Sequence, residues 1–246
     1  NLTDANLAGA TLTGATWSNT TCPDGTNSDV NAGTCEGHTP LVLTVNDATV
    51  DAVDAAPGDG VCETAVPGVC TLRAAIQETN VWPGADTVRL VPDTAHAVTI
   101  LGDDDDAAAG DFDITDPLRV EGRRATVAPY TFTAFADVTM FDLVSGLTSN
   151  GDPVALTRFT GYVDVSNATI DESDIYGWIV GGASTVRASR LSLGRLHDTA
   201  VEKSYFHGGW MDLVGATISD STFDGGGVCA YADTPESHSF VVRSTF

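Results

Sequence analysis

A run of acidic residues near the middle of the chain is the first candidate for chemistry. Its carboxylates come from consecutive aspartates and from one more that follows a short alanine-rich stretch: Asp103, Asp104, Asp105, Asp106 and Asp111. Calcium takes carboxylate and carbonyl oxygens as ligands, and adjacent carboxylates repel one another unless a cation or water screens them. Calcium is therefore the one cofactor that this run brings into question. The alternative is a solvated turn between strands, with no cofactor bound.

Aromatic residues form the second candidate, a surface that binds carbohydrate. Trp178 and Trp210 each come just after glycines that punctuate the chain, and Tyr176 lies close to Trp178. Large rings with a polar edge suit a sugar-binding face, and Tyr162 and Tyr205 are available for the same role. The competing interpretation is that these rings pack in a core or at corners.

Charged residues in the second half of the chain raise the question of catalysis on polysaccharides. Candidate bases are Arg187, Arg190, Arg195 and Lys203, and candidate acids are Asp164, Asp171, Asp174, Asp198 and Asp220. A lyase requires a strong base, often with calcium, whereas a glycosidase requires a pair of carboxylates. None of these residues stands out from the acidic background. We therefore predict no catalytic residues, with a polysaccharide lyase or glycosidase as the alternative.

Cysteine spacing indicates the compartment. Cys22 and Cys35 form one closely spaced pair and Cys62 and Cys70 another, while Cys229 is left over. Two local disulfides, each worth roughly 2–3 kcal/mol on the chain-entropy view, are typical of an extracytoplasmic protein. The rival is a four-cysteine zinc site, but neither pair has the C-x-x-C spacing of such sites.

Composition excludes two classes of partner. The 246 residues include 34 Asp and Glu against 11 Lys and Arg, for a net charge of −23. So acidic a surface repels nucleic acid and anionic lipid. No apolar stretch has the length of a membrane span, so we predict no membrane insertion.

The elements that must position these residues are repeats, and the first repeat opens the chain. Apolar residues recur every five positions, at Leu2, Leu7, Leu12 and Trp17. An alanine stands two residues before each of the last three. This resembles the pentapeptide-repeat pattern, which implies a narrow four-sided β-coil. Four repeats make about one coil, and repeat units must stack to bury their faces. We therefore expect this segment to pack against another part of the protein or another subunit.

A longer repeat begins at Thr169. Its copies are 169–175, 185–191, 200–206, 217–223 and a shorter fifth copy at 241–246. Each of the first four has an apolar residue, a serine three positions later and a second apolar residue two positions after that. The first four copies begin 15 to 17 residues apart. This spacing predicts successive rungs of a parallel β-helix, in which equivalent side chains stack at about 4.8 Å per rung. The serines are expected to form a ladder in a turn or in the core.

An amphipathic helix precedes these rungs. Leu72, Ala75, Ile76 and Thr79 share one helical face, and Thr71 is placed to cap the first turn. Strand-like alternation is predicted nearby, at 41–53, 87–91 and 97–101. Because an array of strands must cover its open end, the helix is interpreted as a lid.

Several motifs around this helix occur together in one family. The segments G-D-G-V-C (58–62), C-T-L-R-A-A-I-Q-E-T-N (70–80), P-G-A-D-T-V-R-L (83–90) and G-D-F-D-I-T-D-P-L-R-V-E-G (110–122) resemble the CSLREA-type bacterial surface proteins. The Cys-Ser-Leu-Arg-Glu-Ala run of that family corresponds here to 70–75, with Thr for Ser and Ala for Glu. The resemblance covers roughly 41–145. It implies a secreted right-handed parallel β-helix capped by the helix, without catalytic residues.

The combined prediction is an all-β protein with three segments: a pentapeptide-like coil at 1–19, a disulfide-tied connector at 20–40 and a helix-capped right-handed parallel β-helix at 41–246. The leading functional hypothesis is a structural protein at the surface of a bacterium that self-associates end to end through its solenoid ends. The assembly edges would be Leu2, Leu7, Leu12, Trp17 and Phe246. The alternative is an adhesin or carbohydrate-binding β-helix whose partner is a surface polysaccharide.

Overall fold

The protein is a parallel β-solenoid with a single short helix among its described residues. The structure is a computed structural model, and it describes residues 1–2, 5, 12–23, 26–35, 38–102, 104–134, 136, 138–150, 154–157, 159–166, 169–171, 173–187, 189–208, 210–225, 227–231 and 239–245. The helix α1 spans Leu72–Val81. The strands are β1 (Val42–Thr44), β2 (Asp86–Arg89), β3 (Ala95–His96), β4 (Phe112–Ile114), β5 (Leu118–Ala134), β6 (Val138–Asn150), β7 (Val154–Thr157), β8 (Phe159–Ser166), β9 (Thr169–Asp171), β10 (Asp174–Arg187), β11 (Arg190–Glu202), β12 (Tyr205–His207), β13 (Trp210–Val214), β14 (Thr217–Ser219), β15 (Thr222–Asp224), β16 (Gly227–Tyr231) and β17 (Phe240–Val242).

The strands pair in parallel and stack into three faces. The first face follows β1, β2, β5, β6, β7, β9, β10, β11, β14 and β17. The second face includes parts of β8, β10 and β11 followed by β12 and β15. The third includes the later parts of those long strands followed by β13 and β16. Register shifts on either side of 178–180 carry β10 from the second face to the third and then to the first.

The predicted apolar ladders fill the interior. On the first face Val186 pairs in register with Val201, and Val201 with Ile218. On the second face Leu191 pairs with Phe206, and the Phe206 and Phe223 rings stack at a centroid distance of 4.6 Å. All the residues assigned inward by the repeat are buried: Ile170, Ile175, Val186, Leu191, Val201, Phe206, Ile218 and Phe223. The period of the repeat therefore placed the core of this half of the chain correctly.

The serine column is a hydrogen-bonded ladder at the turn between the first and second faces. The hydroxyl group of Ser189 accepts the backbone N–H of Ser173 at 3.1 Å and donates to the carbonyl of Arg187 at 2.6 Å. Ser204 and Ser221 repeat both contacts one rung further each time. The left-handed backbone position of this turn is occupied by residues other than glycine. Lys203, Asp220 and Arg243 have φ values of 49°, 49° and 48° there.

The fifth copy of the repeat keeps the register of the other copies from Phe240 to Thr245. Val241 pairs with Ile218, and Thr245 forms a bridge with Thr222. Ser244 accepts the N–H of Ser221 at 3.3 Å and so extends the ladder. The sequence alignment was wrong at this copy because it began one residue late, at Val241 instead of Phe240.

Of the three strands predicted before the repeat, one is shorter than expected and another is absent. Only Val42–Thr44 of the segment 41–53 is a strand. No strand forms at 97–101, and Ala95–His96 pairs just before it. At 97–101 the backbone has another partner: the carboxylate of Asp51 accepts the N–H groups of Thr99 at 2.6 Å and Ile100 at 2.8 Å. A side chain thus replaces the strand ladder at this position.

The helix α1 is buried on both sides. Thr71 caps it by accepting the N–H of Ala74 at 3.1 Å. Its apolar residues pack against the end of the core, as predicted. Its polar residues Arg73, Gln77 and Glu78 are also buried, because they contact the long segment before the helix. That segment is closed by the Cys62–Cys70 disulfide.

The first residues of the chain carry the other predicted disulfide. Cys22 and Cys35 are bonded, which excludes a zinc site built from the two pairs. Leu2, Leu12 and Trp17 are half-buried, and the described part of 1–20 consists of turns and irregular chain. Leu7 lies outside the described residues, as does Phe246. The pentapeptide-like coil therefore stays a prediction.

Candidate functional site

An open groove on the second face of the solenoid is the best candidate for a binding site. Its volume is about 570 Å³, within the range of roughly 300–1,000 Å³ typical of ligand clefts. We call it the second-face groove, and its lining residues are Tyr176, Arg190, Leu191, Ser192, Tyr205, His207 and Asp224.

Strand alternation places these side chains on the outside. In a β-strand, neighbouring side chains point to opposite sides of the sheet. The inward residue Leu191 is therefore flanked by Arg190 and Ser192, and the inward Phe206 by Tyr205 and His207. Parallel register then aligns these flanking positions into two columns, because Arg190 pairs with Tyr205 on the next rung. The groove is the surface between and around these columns.

A hydrogen-bonded group lies at one end of the groove. The Tyr205 hydroxyl group donates to Asp224 Oδ2 at 2.7 Å, and His207 Nδ1 lies 3.4 Å from the same oxygen. The Tyr205 and His207 rings are nearly parallel, with centroids 6.4 Å apart. All three side chains are exposed. The arrangement holds two rings and a carboxylate in one orientation toward solvent.

The protonation states in this group are well separated. The hydrogen bond from Tyr205, followed by the contact with His207, lowers the pKa of the Asp224 carboxyl below its ordinary value. The same hydrogen bond raises the pKa of the Tyr205 hydroxyl. Near neutral pH Asp224 is therefore an anionic acceptor and Tyr205 a protonated donor.

The rung between Tyr176 and Tyr205 carries a cation. Arg190 is exposed, and its guanidinium group has neither an ion pair nor a hydrogen bond within the described part of the chain. Ser192 lies beside it and adds a hydroxyl group. The groove thus presents a guanidinium group, a carboxylate and two tyrosine rings.

This set of groups suits recognition better than catalysis. Glycoside hydrolysis uses two carboxylates across the scissile bond, and Asp224 is the one carboxylate among the lining residues that the structure describes. A general base should have a pKa near the working pH, whereas the pKa of Tyr205 is raised and that of Asp224 is lowered. Aromatic rings with fixed donors and acceptors match a saccharide, which offers apolar ring faces and many hydroxyl groups.

The predicted glycan-binding residues separate in the structure. Tyr176 lines the second-face groove and is exposed. Trp178 follows the register shift after Gly177 and belongs to the third face of β10. Trp210 begins β13, which is also part of the third face. The described structure gives no side-chain positions for these two tryptophans, so their role in glycan binding stays a prediction.

Two aspartates of the acidic run, and two carbonyl groups beside it, form hydrogen bonds within the protein. Asp104 accepts the N–H of Ala108 at 3.0 Å, and Asp111 accepts a hydrogen bond from Thr133. Arg73 donates to the carbonyls of Ala107 at 2.9 Å and Gly110 at 2.8 Å. It thereby occupies carbonyl oxygens of the kind that calcium would use. Asp103 lies outside the described residues, and the described part of the chain contains no cluster of three or more His, Cys, Asp or Glu arranged to hold a metal ion.

Sequence reasoning named three of the seven groove residues but not their convergence. Tyr176 and Tyr205 were considered as aromatics of a sugar-binding face and Arg190 as a base, whereas Ser192, His207 and Asp224 were not predicted. The signal was available: every groove residue other than Leu191 directly precedes or follows an inward position of the repeat. Assigning the residues beside the apolar ladder to outward-facing columns would have predicted that these groove residues lie together.

Comparison with known proteins gives no match to a protein family model, to a protein of curated function or to a solved structure. Assignment to the CSLREA-type family therefore stays a prediction from the motifs. No helix in the described structure is long and apolar enough to cross a membrane.

Proposed function

We propose that this protein is an extracellular β-solenoid that binds carbohydrate through the second-face groove without modifying it. The observation that carries the proposal is the Tyr205–Asp224–His207 group. It fixes two rings and a charged acceptor on an open surface of suitable volume. Preorganised groups of this kind reduce the entropy lost on binding.

The position of the groove favours an extended ligand. Its columns run along the solenoid axis over rungs spaced by about 4.8 Å, and the groove is open rather than enclosed. A polymer chain would therefore lie along these columns, with successive sugars contacting successive rungs.

A binding assay with insoluble and immobilised polysaccharides tests the proposal. We expect the whole chain to be retained by at least one polysaccharide, and Tyr205→Ala and Tyr176→Ala each to reduce that retention. Phe240→Ala is the matched control, because Phe240 is an exposed aromatic residue of β17 outside the groove. Retention that is lost equally in all three variants, or absent for every polysaccharide tried, would contradict the proposal.

Turnover provides the distinction from a lyase or glycosidase. Incubation of the bound polysaccharide with the protein, with and without calcium, should release no reducing ends and no unsaturated sugars. Product formation that Tyr205→Ala abolishes would replace the binding function by a catalytic one.

A structural role at the cell surface is the second candidate. It is supported by the continuity of the serine ladder from Ser173 to Ser244, which ties successive rungs together along the axis. Negative-stain electron microscopy tests whether such rods associate end to end. Filaments with a repeat close to the solenoid length would support this role, and isolated short particles at high concentration would contradict it.

The location is part of the proposal. Two disulfides favour an oxidising compartment, and the CSLREA-like motifs are the basis for placing the protein on a bacterial surface. The binding assay identifies the polysaccharide.

A further inference from the structure

Arg190 differs from the arginines whose charge the fold uses. Several arginines of the described chain form ion pairs with Asp or Glu, namely Arg73, Arg89, Arg119, Arg124 and Arg243. Arg190 forms no ion pair with the residues that the structure describes, although the chain has 34 acidic residues against 11 basic ones. Its guanidinium group is exposed within the second-face groove. The groove therefore presents a cation that no described carboxylate neutralises.

The polarity of the groove changes along its length. Arg190 belongs to β11, Tyr205 to the next rung and Asp224 to the rung after that. Two rungs separate the cation from the anion by about 9.6 Å along the axis. The two charges are therefore too far apart to neutralise each other in a direct ion pair, and a ligand that contacts both must offer different chemistry at its two ends.

We propose, building on the carbohydrate-binding function above, that the second-face groove selects saccharides that carry a carboxylate. The carboxylate pairs with Arg190, whose planar fork of N–H donors matches a carboxylate through two parallel hydrogen bonds. Hydroxyl groups of the saccharide donate to Asp224, and the sugar rings lie against Tyr205 and Tyr176. A uronic acid residue within a polysaccharide has this combination of groups.

Matched pairs of oligosaccharides test this selectivity. The probes are neutral oligomers of glucose, galactose and mannose and the same oligomers with C6 oxidised to a carboxylate, titrated against the whole chain by calorimetry. We expect at least one oxidised oligomer to bind about tenfold more tightly than its neutral counterpart, the gain typical of a charge-assisted hydrogen bond. Arg190→Gln should abolish that difference. Arg190→Lys should keep only part of it, because lysine lacks the planar fork.

The control variant is Arg187→Gln. Arg187 is exposed on β10 and lies outside the groove lining, so its removal changes the net charge equally without changing the site. We expect this variant to retain the full preference for the oxidised oligomer. A loss equal to that of Arg190→Gln would show a general charge effect and overturn the proposal.

The remaining outcomes separate this inference from the function on which it rests. Equal affinity for neutral and oxidised oligomers would overturn the carboxylate preference and leave carbohydrate binding intact. A sulfated oligomer that binds as tightly as the oxidised one would also overturn it, because the groove would then recognise negative charge rather than a planar carboxylate. Absence of binding to every oligomer and polysaccharide would overturn both proposals.

Discussion

The Tyr205 hydroxyl group hydrogen-bonds to the carboxylate of Asp224 on the next rung at 2.7 Å. Because this bond is the largest cause of the lowered pKa of Asp224, we expect Tyr205→Phe to raise that pKa toward its ordinary value. A carboxyl carbon NMR titration measures the change. Ser192→Ala is the control, since Ser192 has no contact with Asp224 in the described structure. An unchanged pKa in Tyr205→Phe would show that the bond does not persist in solution.

The serine ladder predicts a stability cost that depends on position. Ser189→Ala leaves the buried N–H of Ser173 without its acceptor, so we expect the free energy of unfolding to fall by about 1–3 kcal/mol. Ser192→Ala, a change of the same type on the adjoining strand β11 and outside the ladder, should cost less than about 0.5 kcal/mol. Urea denaturation measures both. Equal effects would contradict a structural role for the ladder.

Loss of the buried ion pair between Arg73 and Asp51 should lower the free energy of unfolding by more than loss of a ladder serine. The side chains of Arg73 and Asp51 are 0% and 1% exposed, and Arg73→Met leaves the Asp51 charge buried without its partner. We expect a loss of about 3–5 kcal/mol, together with faster amide exchange in the 107–111 loop that Arg73 holds. Arg89→Met, which breaks an exposed pair with Glu121, should cost at most about 1 kcal/mol. Similar losses for the two variants would contradict the anchoring role of Arg73.

Gly177 predicts a steric limit beside the groove. Its φ is +143°, and a Cβ atom there would lie 2.0 Å from the carbonyl oxygen of Gly161 on the neighbouring rung. Backbone cannot move aside as a flexible side chain does, so Gly177→Ala should be strongly destabilising. Gly208→Ala isolates the cost of a positive φ, because no atom lies within 4 Å of its Cβ position. We expect Gly177→Ala to cost about 1–3 kcal/mol more than Gly208→Ala in urea denaturation. No difference would mean that the rungs separate easily at this point.

Two buried carboxyl groups near the lid predict a pH dependence. Burial is the largest cause that raises the pKa of Asp86 and of Asp113 to about 7. Between the ordinary pKa of 3.8 and about 7 the folded protein holds these protons and the unfolded chain does not. The stabilisation is therefore present at low pH and is lost as the pH rises through about 7.

Amide variants isolate this effect from the other titrating groups. The free energy of unfolding of the natural protein, relative to Asp86→Asn or Asp113→Asn, should fall as the pH rises from about 5 to about 8. Asp93→Asn is the control. The hydrogen bond with Arg124 lowers the pKa of the Asp93 carboxyl, so this group is ionised in both the folded and the unfolded protein throughout that range. A difference that stays constant with pH for both amide variants would contradict the raised pKa values.

The accuracy of the sequence predictions depended on the range of the interactions. The inward ladder through Val186, Val201 and Ile218 was predictable because the core of a solenoid repeats with the rung and leaves its period in the chain. The two disulfides were predictable because they close short local loops. The strand expected at 97–101 failed because Asp51, far away in sequence, takes its N–H groups. The partners of Arg73 were hidden for the same reason.

By itself, the sequence determined a parallel solenoid, its inward residues, its capping helix and its cysteine pairs, because each of these is encoded by a short period or a local spacing. Only the tertiary structure decided that the rungs form three faces, and that Tyr205, His207 and Asp224 meet at one end of a groove with Arg190 on the adjacent rung. The physical reason is register. The flanking positions of different rungs become neighbours only when parallel pairing aligns them, and a shift of one residue would send each of those side chains into the core.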